Sequence, residues 1–480
     1  MADIETGDFV AGKNWGASIS QATGYRLLHD AYYGTGLFER GYGLRPHPRE
    51  MLSNYRERQA LAYYLNYTGP IVNAAVDPIF KDEIKRDYND SEMFSHFLDN
   101  CDRTGMSYQD FCKSAAQQAK LYGVVYVVVD NSDEQDETLD KAIANRHLPY
   151  LKTVMPDQIK DWSMDEAGRL AKIVYEERIR NTENAEIVRT YTWTDTDWSI
   201  SSSGDQGGNR TGEHGLGVVP VVQWLARNTP KTDILPPSEY ISIAQTNYFL
   251  YQLCSWHTQL LRDQAFSILT MPDSGEDDIT IGTNNVLTYA PESAHTPEFI
   301  APAAAPADML TGQMDRLIKE MFRMSGLDSV IGVQSDSSKS GVAKQWDFEK
   351  TNRRLADFSV RCENADKAII ALYEKWSGES VGYEVEYPRD FKINDVADSL
   401  ADAQAAIDLG FHSTSYKQEI LKKVLEAYMP NLEPETYDKI VDEVAKAAED
   451  EQMSMTYGAT TVGEDVNDGP ITVKQNPPAV

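Results

Sequence analysis

A chain of 480 residues has room for roughly two to four domains, and a formal net charge of -30 leaves no surplus of cations with which to coat nucleic acid. Hydrophobic residues make up 41% and charged residues 25%, which excludes a disordered acidic polymer and fits a globular protein. The four cysteines, Cys101, Cys112, Cys254 and Cys362, lie far apart without a C-x-x-C, so reduced and buried thiols are expected.

The N-terminal stretch MADIETGDFVAGKNWG has no basic segment followed by an apolar one, and no secretory leader is expected from it. Residues up to Arg49 read as irregular, with Gly-rich pieces and the rigid LRPHPRE. Residues 50–80 turn helical, with Pro70 at the start of a second piece, and residues 91–100 and 107–121 read as two further helices. GVVYVVVD, residues 123–130, is a β-branched run bounded by Gly and Asp and reads as a buried strand. An acidic loop follows, and then weaker strands over 150–154, 173–178, 186–193 and 198–201. SSSGDQGGNRTGEHGLG reads as a flexible loop, and VVPVVQW closes the series. Residues 1–235 are therefore expected to form one α+β domain, helices first and then a mostly antiparallel sheet.

The centre of the chain is different. From Tyr240 to Leu261 no residue carries a formal charge, and the apolar positions go most of the way round the expected helix. The length suits a membrane span, but Gln245, Asn247, Gln252, His257 and Gln259 would then sit in hydrocarbon, and no basic cluster flanks the run. That leaves a core helix of a large domain, or a helix packed against copies of itself in a ring. A short strand-like insert over 266–299 follows, with ITI and NVLTYA as two strands around a Gly-Thr-Asn turn. A second helix carries Leu310, Met314, Leu317, Met321 and Met324 at helical spacing. After a Gly/Ser-rich loop comes the longest pattern, residues 341–376. Phe348, Thr351, Leu355, Phe358, Cys362, Ala365, Ile369, Leu372 and Trp376 alternate steps of three and four along it. Some 35 residues give about 50 Å of helix. GYEVEY is expected to add a strand. Short helices follow over 395–409, 415–428 and 434–448, before a polar tail.

Catalytic and cofactor signatures are missing. There is no G-x-x-x-x-G-K-[ST], no G-x-G-x-x-G after a strand and no G-x-S-x-G. Gly212, Gly215 and Gly217 stand in a loop before a strand, which is the wrong context for a phosphate cradle. Cys254 and His257 share a helix face, but two ligands do not make a zinc site. Abundant carboxylates beside Trp and Tyr would suit an acidic polysaccharide hydrolase, without singling out a pair.

Several pieces, taken in order, resemble the tailed-bacteriophage portal proteins. They are FLDNCDRTGMSYQDFCKSAAQQAKLYGVVYVVVD, LPYLKTVMPDQIKDW, VPVVQWLARN before PPSEYISIAQTNYFLY, MFRMSGLDSVIGVQSDSSKSGVAKQWDFEK, and LADAQAAIDLGFHSTSYKQEILKKV. The resemblance covers roughly residues 55–451 and is one of pattern, with no invariant catalytic signature. It implies an α+β portal-like fold: a wing over 1–235, a first stem helix over 236–265, a clip over 266–305 and a second stem helix over 306–325. A tunnel loop over 326–340, a long helix with a return to the wing over 341–392, a crown over 393–450 and an acidic tail over 451–480 complete it.

The resemblance further implies a ring at one capsid vertex, typically of about twelve copies, with viral double-stranded DNA passing through its channel. The implied partners are the terminase packaging motor, the major capsid or scaffold protein and tail adaptor proteins. The implied location is the virion, with host cytoplasm during assembly. No enzymatic activity, cofactor, metal or membrane is expected. A capsid shell or scaffold protein is the other structural alternative. Tyr248, Tyr251, Leu317 and Met321 are expected to bury against neighbouring stem helices, some in adjacent subunits. Gly332, Ser335, Ser337, Ser338, Lys339, Ser340 and Lys344 are expected to line the channel, where the two lysines would touch passing phosphates.

Overall fold

The computed structural model describes residues 19–391, apart from 133–137, 146, 181–185, 204–208, 266–267, 273–285, 294–295, 301–304 and 327–340, together with a few positions between 420 and 446. The chain divides into two compact units, Met1–Phe391 and Lys392–Val480. In the second, the described positions, among them Ile420, Leu425, Ile440 and Lys446, are helical and fall inside the helices expected over 415–428 and 434–448.

The first unit is organised around the β-branched run. α1 (Ile19–Tyr33), α2 (Leu52–Ala60), α3 (Thr68–Ala74), β1 (Lys85–Asp87), α4 (Glu92–Asp99) and α5 (Tyr108–Tyr122) precede it, and β2 (Val124–Asp130) is the run itself. β2 is the middle strand of a three-stranded antiparallel sheet, between β3 (Tyr150–Val154) and β9 (Val221–Leu225). Its two faces serve two cores. Val125, Val127 and Val129 pack with Phe94, Phe97, Phe111 and Phe358, while Val124, Tyr126 and Val128 pack with Ile173, Tyr175 and Trp193. Burial on both faces is why the strand reads as an unbroken apolar run and does not alternate. α6 (Leu139–Asn145) begins at the end of the acidic stretch that reads as a loop.

The second face is covered by a five-stranded antiparallel meander: β4 (Ile159–Met164), β5 (Leu170–Arg180), β6 (Glu186–Thr194), β7 (Asp197–Ser202) and β8 (Arg210–Glu213). The strands expected in this region are present, and β4 and β8 add to them. β8 rises out of the Gly-rich tract because Gly212 lies under the indole of Trp198, where a Cβ would come within 2.6 Å of Nε1. That close approach is the use of Gly212, and not a phosphate cradle.

The expectation that residues up to 49 are irregular is corrected by α1. Its buried Tyr25, Leu28 and Ala31 lie three residues apart, and its cover is a helix more than two hundred residues later in the chain. Gly24 sits inside α1, which lowers its intrinsic helicity, and tertiary packing overrides that.

α7 (Ile241–Ala265), α8 (Ala305–Ser325) and α9 (Gly341–Ser377) are the three central helices. Between α7 and α8, β10 (Ile268–Pro272) pairs parallel to β11 (Val286–Tyr289) and antiparallel to β12 (Glu298–Ile300). The ITI strand and its turn lie outside the described residues. On α9 the expected face is the buried one: Thr351, Leu355, Phe358, Cys362, Ala365, Ile369 and Leu372. β13 (Glu384–Glu386) then pairs with β1. The core that residues 1–235 begin is thus closed by α9 and the segment after it.

One turn fixes how α5 enters β2. Gly123 ends α5 in the left-handed region at φ 93°, and a Cβ there would lie 2.8 Å from the carbonyl oxygen of Pro236. Gly123→Ala is therefore expected to lower the unfolding free energy by about 1–3 kcal/mol, measured by denaturant unfolding.

Candidate functional site

α7 receives its polar partners from the N-terminal segment. Asn247 is fully buried, and its Oδ1 accepts from the Tyr67 amide (3.0 Å), the Thr68 amide (3.1 Å) and hydroxyl (3.0 Å), and the Tyr64 hydroxyl (2.8 Å). Its Nδ2 donates to the Leu65 carbonyl at 2.9 Å. One side chain of α7 thereby satisfies amides at the start of α3 that have no partner inside that helix. Gln252 accepts from the Arg45 amide (3.0 Å) and donates to the Gly43 carbonyl (2.8 Å). Ser255 accepts from the buried Arg58, which also holds Glu50 at 2.7 Å. Of the polar residues that argue against a membrane span, Asn247 and Gln252 are therefore anchors to residues 43–68. Among the described residues, no helix is long and apolar enough to cross a membrane.

The other side of α7 packs on α8. Cys254 Sγ lies 3.7 Å from Met314 Sδ, and His257 Nε2 lies 3.3 Å from the Thr311 hydroxyl. Cys254 and His257 fill this helix contact. No group of three or more His, Cys, Asp or Glu able to hold a metal occurs among the described residues.

Of the residues expected at subunit contacts, Tyr251 and Met321 are buried inside the chain's own core, and Tyr248 and Leu317 pack against that core half-buried. Tyr251 meets Phe38 and Tyr64 edge-on at 5.4 and 6.0 Å, and Tyr248 donates to the Gly43 carbonyl at 2.6 Å. Helical spacing reports that a face is covered, not which chain covers it. Gly332, Ser335, Ser337, Ser338, Lys339 and Ser340 lie outside the described residues. Lys344 lies in the first turn of α9, and its side chain is likewise outside them.

Sequence reading missed what α7 leaves uncovered. Phe249 is 46% exposed and Trp256 37% exposed, on one stripe with the exposed Ser242 and Gln245. At about 100° per residue, Cys254 and Thr258 lie on the opposite side of the helix. There Tyr63, 46% exposed, reaches both. Leu61, Tyr63 and Leu65 face out along this stretch while Ala62 and Tyr64 pack inward. Leu261 is also exposed, and an ion pair of 3.2 Å between Arg262 and Glu57 fixes α2 alongside the end of α7. So apolar side chains are open on α7 at one side and, at the other, on the segment that covers it and at Leu261.

α9 is held by a buried carboxylate. Asp366 is fully buried and accepts hydrogen bonds from the hydroxyls of Tyr108 (2.8 Å), Tyr383 (2.7 Å) and Tyr387 (2.9 Å) and from Arg86 Nη2 (3.3 Å). Burial, reinforced by the charge of Asp366, holds all three phenols well above their usual range. Burial opposes the charge on Arg86, but Asp366 together with Cys112, Tyr387 and Tyr383 more than offsets it, and its pKa is raised. With four donors on it, Asp366 is a structural tie among α5, β1, α9 and the segment around β13, and not half of a catalytic pair.

The end of α8 is clamped to α9. Arg354 Nη1 donates to the Ser325 carbonyl (2.6 Å) and the Thr351 hydroxyl to the Gly326 carbonyl (3.1 Å), so side chains of α9 satisfy the last carbonyl of α8 and the one that follows it. α9 begins ten residues before Thr351, about 15 Å along the helix. Beside the clamp, a cavity of about 140 Å³ is lined by Lys120, Glu239, Ser325, Arg354, Asp357 and Phe358. That is smaller than the usual small-molecule site and lined by charges, and Lys120 is already paired with Glu239.

No protein-family model matches the chain, and no curated protein matches it. Among solved structures it is similar to a chain from the neck of an empty GTA particle computed with C6 symmetry. The identity is 11% and the TM-score 0.45, over 86% of this chain and 95% of that one. It is also similar to a chain from the neck of a native GTA particle computed with C12 symmetry, at 13% identity and a TM-score of 0.41, over 82% of this chain and 98% of that one. Likenesses of this extent do not define a role for the chain, which rests on its own residues.

Proposed function

We propose that the chain is the subunit of a phage portal, a non-enzymatic ring at one capsid vertex through which double-stranded DNA enters and leaves. The observation that carries this reading is the pair of unlike apolar surfaces on opposite sides of α7: Phe249 and Trp256 on one, Leu61, Tyr63, Leu65 and Leu261 on the other. Large apolar side chains gathered in the open mark an interaction surface. Two different surfaces on opposite sides fit a head-to-tail contact, in which one surface of each copy meets the other surface of the next, and such contacts form a ring when the rotation between copies closes. The order of sequence pieces supplies the portal identity. α7 and α8 would be the stem, β10, β11 and β12 the clip that meets the terminase motor and later the tail adaptors, and residues 1–235 with α9 and β13 the wing. The net charge of -30, repeated around a ring, would let DNA slide with few phosphate contacts, those few coming from Lys339 and Lys344.

Native mass and a mixing experiment test it. Wild type is expected as a closed ring of about twelve copies. Trp256→Glu and Tyr63→Glu should each give folded monomers with a wild-type melting temperature, because both side chains are substantially exposed. Mixed one to one, they should form a dimer and stop there, since each variant keeps one intact surface. A wild type that is monomeric at all concentrations favours the hydrolase, and rings in both variants remove α7 as the contact.

A further inference from the structure

We propose that His214 is a pH-sensitive joint between the five-stranded sheet and the C-terminal end of α9. The residue follows β8, and its side chain is 7% exposed. Its ring lies between two indoles, Trp193 of β6 at 5.7 Å and Trp376 of α9 at 5.9 Å. Trp376 in turn donates from Nε1 to the Val129 carbonyl of β2 at 2.7 Å. The imidazole is thus the packing piece where the five-stranded sheet, the three-stranded sheet and the long helix meet.

The hydrogen bonds define its working state. His214 Nε2 lies 3.1 Å from the Thr194 carbonyl oxygen, which can only accept, so Nε2 carries the proton. Nδ1 is buried and has no partner. In the neutral ring this leaves an idle lone pair. In the protonated ring it would be a charged N–H aimed at no acceptor, which is a costlier defect. The backbone amide of His214 donates to the Thr196 carbonyl at 2.7 Å, which ties its main chain to the β6–β7 turn.

The charged groups facing the site come from three elements. Asp195 and Asp197 belong to the turn between β6 and β7 and to the start of β7, and Asp130 ends β2. Lys375 of α9 reaches the Leu216 carbonyl at 3.5 Å. Burial holds the imidazole below its ordinary 6.5, against the opposing pull of the Thr194 carbonyl and of Asp197, Asp195 and Asp130. A base depressed in the folded state contributes stability that is fully present above the unfolded value of 6.5 and is lost as the pH falls through the folded one. Acidification should therefore loosen this joint while neutral pH closes it.

The test uses the full chain, labelled in its histidine rings, with His214→Gln as the assignment control. Ring titration of wild type by NMR should place the His214 midpoint below 6.5. Between about pH 7.5 and about pH 5, the wild-type melting temperature should fall by roughly 2–4 °C more than that of His214→Gln, whose amide keeps the bond to Thr194 without titrating. A His214 midpoint at or above 6.5, or an identical pH dependence in the two proteins, overturns the proposal. If the variant does not fold, assignment passes to the wild-type ring that contacts tryptophan, and the midpoint decides alone.

Discussion

Asp366→Ala is expected to destabilise the first unit by about 3–5 kcal/mol, the range for removing one partner of a buried, hydrogen-bonded ion pair. The reason is what remains behind. Arg86, nearly buried itself, would keep its charge without a counterion, and the hydroxyls of Tyr108, Tyr383 and Tyr387 would lose their common acceptor. Those groups stand on three different parts of the chain: β1, α5 and the segment around β13. The loss would therefore free β13 from β1 and α9 from α5 at the same point. Asp366→Asn keeps the shape and one acceptor oxygen but not the charge, and should fall between wild type and Asp366→Ala. Denaturant unfolding of the three proteins measures the order, and hydrogen exchange across Lys85–Asp87 locates the opening. A cost for Asp366→Ala below about 1 kcal/mol would mean that the cluster is not the tie that holds α9.

Much of this arrangement can be read in the chain beforehand, and the parts that cannot have physical reasons. α9 is legible because one face alone is buried, so steps of three and four run uninterrupted from Thr351 to Leu372. β2 is legible because burial on both faces makes a β-branched run. α1 is hidden because Tyr25, Leu28 and Ala31 are few, an internal glycine weakens the local signal, and the helix that covers them is distant in sequence. Asp366 is hidden as well. A carboxylate in a helix looks like a solvated one until Tyr108, Tyr383 and Arg86 are seen to converge on it. The candidate interface was half legible. An uncharged helix signals contacts all round, but periodicity does not separate Tyr251, which its own chain buries, from Phe249 and Trp256, which it leaves open. The loop residues from Gly332 to Ser340 are legible only as composition.

That distinction makes Tyr251→Asp a test of the chain's own core. The ring of Tyr251 is 1% exposed and sits among Phe38, Tyr64 and Met321, all from the same chain. Arg58, which meets α7 one turn along at Ser255, is already paired with Glu50, so a carboxylate placed there must either stay charged in an apolar setting or fold protonated, and either course costs several kcal/mol. Removing the aromatic ring adds the loss of its packing, about 3–5 kcal/mol for a large core side chain. The sum approaches the whole stability of an ordinary domain, so Tyr251→Asp is expected to leave the α1–α7–α8 layer unfolded at 25 °C. Tyr251→Phe keeps the ring and its edge contacts and should stay within about 1 kcal/mol of wild type. The measurement is thermal unfolding followed by near-ultraviolet circular dichroism, which reports the packed aromatics, alongside native mass. Assembly should fail in Tyr251→Asp only together with the loss of that signal, whereas in Trp256→Glu it should fail with the signal intact. A Tyr251→Asp chain that keeps a wild-type near-ultraviolet spectrum and melting temperature would show that this side chain is not part of the core, and that α7 turns a different face inward.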